Sequence, residues 1–127
     1  MALEVVGDPH VPALVRRAAL EVVMFQRFEI GLLNDALVRW DEPVEGGGKA
    51  TGWMGQPVEE GSMPGLRTDA QMRDLSSAGG NDQAASFLAL MSRHHQGGAL
   101  MGESAATNGR DKTMTGIARS MPENQRA

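Results

Sequence analysis

The sequence predicts an all-α fold: a bundle of helices interrupted by one long Gly-rich connection. Three observations predict it. Apolar residues recur at three- and four-residue spacing through two long stretches, about 12–40 and 81–107, the period of a helix with one buried face. Thr68-x-x-Gln71 has the form of a capping box that opens a shorter helix. Between these lies a segment rich in Gly and without periodicity, which marks a connection. At 127 residues the chain has the length of one domain.

The first long helix is expected from Pro12 to Trp40. Its buried face reads Leu14, Ala18, Val22, Phe25, Leu33, Ala36 and Trp40. Arg16, Arg17, Glu21, Arg27, Asn34 and Asp35 supply the solvated side. Proline is at home in a first helical turn, as Pro12 would be, and Glu42-Pro43 makes a stop. The connection then carries Gly46, Gly47, Gly48, Gly52, Gly55, Gly61 and Gly65. Trp53, Met54 and Met63 are its bulky apolar groups, expected to hold it against the helices. A connection this long in a small domain is usually functional or mobile.

In the short helix at Thr68, Met72 and Leu75 are the expected buried side, with Gly79-Gly80 as its end. The second long helix starts at Asn81-Asp82, good capping residues, and runs to about Thr107. Asn108-Gly109 is a turn signal. A last helix follows from Asp111 as cap through Met114, Ile117, Ala118 and Met121. Pro122 is expected to kink or end it, because proline lacks the amide proton and crowds the preceding turn.

A weak internal repeat also aligns. Gln26-Arg27 matches Gln125-Arg126, Ala19 matches Ala118, and Met1 falls beside Met101 with a one-residue gap. The expected organisation is a single helical domain over 1–127. Residues 1–40 form the end of a first repeat, 41–80 the connection, and 81–127 the second repeat. On this expectation the chain is a fragment, its first repeat lacking the helix that runs from Phe87 to Met101 in the second. A bundle short of one helix exposes apolar surface. The expected remedies are a second copy of the chain, making a dimer that completes the bundle, or the Thr68 helix folding into the gap.

Composition narrows the chemistry. There are 9 Met and no Cys, which excludes disulfides, thiolate zinc or iron–sulfur sites and a thiol nucleophile. The net charge of −4 argues against a nucleic-acid partner. The apolar runs fall far short of a membrane span of about 20 residues. Met1 to Asp8 carries no basic region followed by an apolar core, as a signal peptide would.

The segment Phe87 to Met101 is the most informative. At about 100° per residue, Phe87, Met91, His94, His95, Gly98 and Met101 share an arc of about 120°, while Ser92, Arg93, Gln96 and Glu103 lie opposite. Imidazoles and thioethers on one face form a soft ligand set, suited to Cu(I) and unsuited to Mg or Ca. The plain alternative is that Met and His at helical spacing are core residues. Gly97-Gly98 lowers helix propensity by about 1 kcal/mol per Gly, which suits a site where something such as a neighbouring helix approaches the backbone. Catalytic patterns are absent. Neither His has a Glu three residues before it, as a di-iron carboxylate bundle needs. There is no His-Glu-x-x-His, no phosphate loop and no Gly-x-Ser-x-Gly elbow. His10 reads as a lone, exposed residue.

These residues carry a resemblance. Phe87-Leu88, Met91, His94-His95, Met101 and then Ile117-Ala118 resemble the family named domain of unknown function 305. Its hallmark is a Phe-Leu-x-x-Met-x-x-His-His-x-x-Ala helix followed by a helix with Gln-x-x-Glu-Ile. Ala18-Ala19, Gln26-x-x-Glu29-Ile30, Trp40 and Asp82 fit as well. Gly98 departs from it where Ala is usual, and so does Pro122. The resemblance implies an exported bacterial protein, periplasmic or extracellular, with a ferritin-like up-and-down bundle. It implies copper held by His and Met, here Met91, His94, His95 and Met101, with Met1 as the counterpart of Met101. The expected function is to bind, buffer or hand over Cu(I) without turnover. The alternative is a structural or interaction module that holds no metal, its His and Met being core.

Overall fold

The computed structural model describes residues 1–46 and 48–126, with the backbone alone for 122–126. It is all-α apart from one two-stranded sheet among the described residues. Helices α1 (Ala2–Gly7) and α2 (Ala13–Arg39) come first. Strands β1 (Lys49–Ala50) and β2 (Val58–Glu59) follow, then α3 (Asp69–Ser77), α4 (Gly80–Asn108) and α5 (Lys112–Arg126). The chain forms two compact units: Met1–Leu33 with Arg67–Met91, and Asn34–Leu66 with Ser92–Ala127.

The first unit has an apolar core of sizeable side chains. Val5, Val11, Leu75 and Phe87 are at most 2% exposed, joined by Ala19, Ala84 and Met91. Helix α3 enters this core through Leu75, with Met72 packed beside it. The expected capping box is present: Thr68 N donates to Gln71 Oε1 at 2.8 Å, and Gln71 N donates to Thr68 Oγ1 at 3.2 Å. Buried Gln83 donates through Nε2 to the Leu75 carbonyl at 3.2 Å, tying the end of α3 to the start of α4.

The start of α4 differs from expectation. It begins at Gly80, and the side chain that caps it comes from far away in the chain. Asp8, between α1 and α2, accepts from Gly80 N through Oδ2 at 3.2 Å. Its Oδ1 accepts from His10 N at 2.8 Å. A carboxylate at a helix N-terminus also meets the positive end of the helix dipole.

Helix α2 corrects the expected buried face. Ala36 is buried, and Ala18 and Val22 are partly so. Leu14, Phe25, Leu33 and Trp40 are exposed, and Arg16 is partly buried instead, its Nε shut away without a hydrogen-bond partner. The helix is apolar on two sides, so spacing alone does not select the inward one. Its buried residues are Ala19 in the first unit and Ala36 in the second.

The second unit is built differently. Its buried residues are small: Ala36, Thr51, Gly97, Gly102, Thr115 and Ala118. Turns and caps set its course. Helix α2 ends in a Schellman turn, with Asp41 left-handed (φ 57°) and Glu42 N bonded to the Leu37 carbonyl at 2.9 Å. The Gly-rich connection is structured, correcting the expectation of a plain loop. Lys49 pairs with Glu59 and Ala50 with Val58 in an antiparallel ladder. The turn between them is closed by Thr51 Oγ1 donating to the Gln56 carbonyl at 2.8 Å. Trp53 is 51% exposed, so it does not hold the connection down, while Met54 and Met63 are partly buried.

Asp111 caps α5 as expected, accepting from Met114 N at 2.9 Å. Helix α5 continues through Pro122 to Arg126, so the proline does not end it. Proline at that position removes one amide, the partner of the Ala118 carbonyl, while the other amides still form the helix. The side chains of Gln125 and Arg126, on which the repeat alignment leans, lie outside the described residues, as does Ala127.

The two backbone amides, with the His10 ring after them, hold the Asp8 carboxyl below its ordinary pKa. Stability from such a group is complete above the unfolded carboxyl value, about 4, and is lost as pH falls through the lower folded value. Asp8→Asn should therefore unfold at lower denaturant than the parent at pH 7. The gap should narrow as pH is lowered from about 4, in urea titrations followed by circular dichroism.

Candidate functional site

The candidate site lies on α4, where the projected face is borne out as a burial pattern. Phe87 and Met91 are buried, and His94, His95, Gly98 and Met101 are partly buried. Ser92, Arg93, Gln96 and Glu103 on the opposite side are exposed. The His94 and His95 ring centroids are 6.2 Å apart and the rings are inclined by 43°.

Met91 differs from the other three residues in burial. It is 6% exposed and belongs to the apolar core of the first unit with Phe87 and Leu75. His94, His95 and Met101 belong to the second unit. Among the described residues no three His, Asp or Glu side chains gather into a group that could hold a metal. A metal at this helix would therefore rest on a His–Met set. His10 is exposed, as expected, and its Nδ1 lies 3.1 Å from Asp8 Oδ1.

A close backbone contact lies beside His94. The Pro64-Gly65 turn crosses α4 backbone against backbone, at the turn of helix that carries His94. Gly65 has φ +80°, and a Cβ on it would come within 2.7 Å of the Arg93 carbonyl oxygen and 3.0 Å of the His94 oxygen. A Cβ on Gly97 would strike the Pro64 carbonyl oxygen and lie 2.8 Å from Gly65 Cα. Something does approach the Gly97 backbone, and it is this turn, where a helix was expected. Pro64-Gly65 was the available signal, since Pro-Gly marks a turn with a left-handed second residue.

Glu29 is the other polar group of interest. It stands partly buried on α2, and burial raises its carboxyl above the ordinary pKa. Gln26, one turn earlier, is also partly buried, while Ile30 is 50% exposed.

The fold is all-α, and one of its helices carries two adjacent histidines and a methionine, all partly buried. The chain belongs to the family described as Domain of unknown function (DUF305), whose family model matches residues 1–127. A solved structure described as "putative secreted protein DUF305 from Streptomyces coelicolor" is 30% identical. It matches with a TM-score of 0.83 over 91% of this chain and 68% of that one. A DUF305 fragment from Deinococcus radiodurans is 24% identical and shares the fold, with a TM-score of 0.77 over 98% of this chain and 78% of that one. No curated protein matches the chain.

Gly97→Ala should cost about 2 kcal/mol or more, because the crowding against Pro64 outweighs the helix propensity gained. Gly31→Ala, in α2 with nothing within 4 Å of an added Cβ, should gain about 0.5–1 kcal/mol. Urea unfolding of both variants checks the contrast. For Glu29, a raised folded pKa means that the ionised carboxyl opposes folding at neutral pH, and protonation relieves it. Glu29→Gln should raise the melting temperature at pH 7, and the difference should vanish below about pH 4.

Proposed function

We propose that this protein binds Cu(I) through His94 and His95 with Met101, and that it buffers or hands over the ion without turnover. The observation that supports this most is the pair of partly buried imidazoles beside a partly buried thioether on one helix face. Thioether and imidazole together select a soft monovalent ion. An ion held between two imidazoles, at about 2 Å per metal–nitrogen bond, separates the ring centroids by about 6 Å. The separation of 6.2 Å suits that arrangement. Met91 completes the set only by leaving the apolar core, so it ranks below Met101 as a ligand.

The protein is proposed to act outside the cytoplasm, as a ferritin-like bundle. The description of the Streptomyces coelicolor relative supports export. Among the described residues no helix is long and apolar enough to cross a membrane. Self-association of the chain is part of the same reading, supported by the large apolar side chains exposed along α2.

One observation favours a second reading, a structural or interaction module without metal. Met91, on the same face, is a packing residue. Titration with Cu(I) under reducing conditions, against a chromophoric chelator, separates the two. The wild type should compete for copper, and His94→Ala/His95→Ala should lose affinity by about tenfold or more while keeping its helical circular dichroism. Equal binding by the two proteins would overturn the copper site.

A further inference from the structure

Helix α2 turns a long face outward. Leu14 is 79% exposed, Met24 65%, Phe25 63%, Phe28 65% and Leu20 46%. At about 100° per residue, Arg17, Met24, Phe28 and Asp35 lie within about 40° of one line along the helix, with Leu14, Leu20 and Phe25 beside it. At roughly 100 Å² for each of the five apolar side chains, the patch approaches 500 Å². That is the upper range for a patch on a monomer, and more than half of the roughly 800 Å² that one partner gives to a stable interface.

The line has an order that selects its occupant. On the line itself stand a cation, two apolar residues and an anion, with exposed Glu21 about 40° to one side. Arg17 and Asp35 stand about five helical turns apart, and Met24 and Phe28 straddle the same midpoint, at Gln26. A second copy laid antiparallel about that midpoint brings Arg17 of each chain to Asp35 of the other, and Met24 to Phe28. The contact is self-complementary and closed. A parallel copy would set Arg17 on Arg17 and Asp35 on Asp35, and like charges repel. Asp35 bonds Arg39 through Oδ2 at 2.8 Å, with both side chains more than half exposed. Its Oδ1 can meet the partner's Arg17.

We propose that two copies of this chain dock antiparallel through the α2 face, with Met24 and Phe28 at the centre and an Arg17–Asp35 pair at each end. This deepens the self-association proposed above and is independent of copper.

Light scattering coupled to size exclusion, with sedimentation over a wide concentration range, tests it on the whole chain. The wild type should be a dimer. Met24→Asp/Phe28→Asp should be monomeric with unchanged helical circular dichroism, since both residues are exposed. Arg17→Asp should weaken the dimer by about tenfold or more, and Arg17→Asp/Asp35→Arg should restore it. A wild type that stays monomeric at the highest concentration overturns both the face and the self-association. A dimer indifferent to Met24→Asp/Phe28→Asp overturns the face alone. A charge swap that fails to restore the dimer overturns the antiparallel register.

Discussion

The second unit depends on one contact between backbones, that of Pro64-Gly65 with Gly97. Two peptide segments can lie this close only where neither has a Cβ, and both positions are glycine. The contact fixes where the structured connection lands on α4. It also lies against the helix backbone at the turn that carries His94. The helix propensity lost at Gly97 is offset by this placement.

The two units achieve burial by different means. The first uses bulk: Val5, Leu75 and Phe87 give it a core of ordinary size. The second uses closeness, burying alanine, glycine and threonine while Val38, Trp40, Val44 and Leu100 stay exposed. Burial of small side chains returns little hydrophobic free energy, which scales with apolar area. Caps, ladders and turns therefore matter more there: Asp111 at α5, Asp41 at the end of α2, and Thr51 in the hairpin.

Much of this was legible from residue patterns. The capping box at Thr68, the Asp111 cap and the inward side of α4 follow from local chemistry and helical period, and the structure agrees. The same period misjudged α2, because that helix has apolar residues on two sides and the choice between them is made by tertiary packing. The hairpin inside the Gly-rich connection left no alternation to detect, since its strands are two residues each. For the candidate site, the partly buried setting of His94, His95 and Met101 could be projected. The burial of Met91 matches the plain alternative, that a methionine at helical spacing is a core residue. The Asp8 cap was invisible for a further reason: its partner, Gly80, is 72 positions away.

That distance bears on how the protein comes to be folded. The first unit takes residues 1–33 and 67–91. Val5 and Val11 share a core with Leu75 and Phe87, which come much later in the chain. The cost of closing so long a loop must be met before any of its contacts form, which slows folding compared with a hairpin of neighbouring helices. Until the loop closes, each segment is an apolar chain without its core, the condition in which chains aggregate or need a chaperone. The Asp8–Gly80 hydrogen bond joins the two distant segments of that unit directly, so it can form only once the loop has closed.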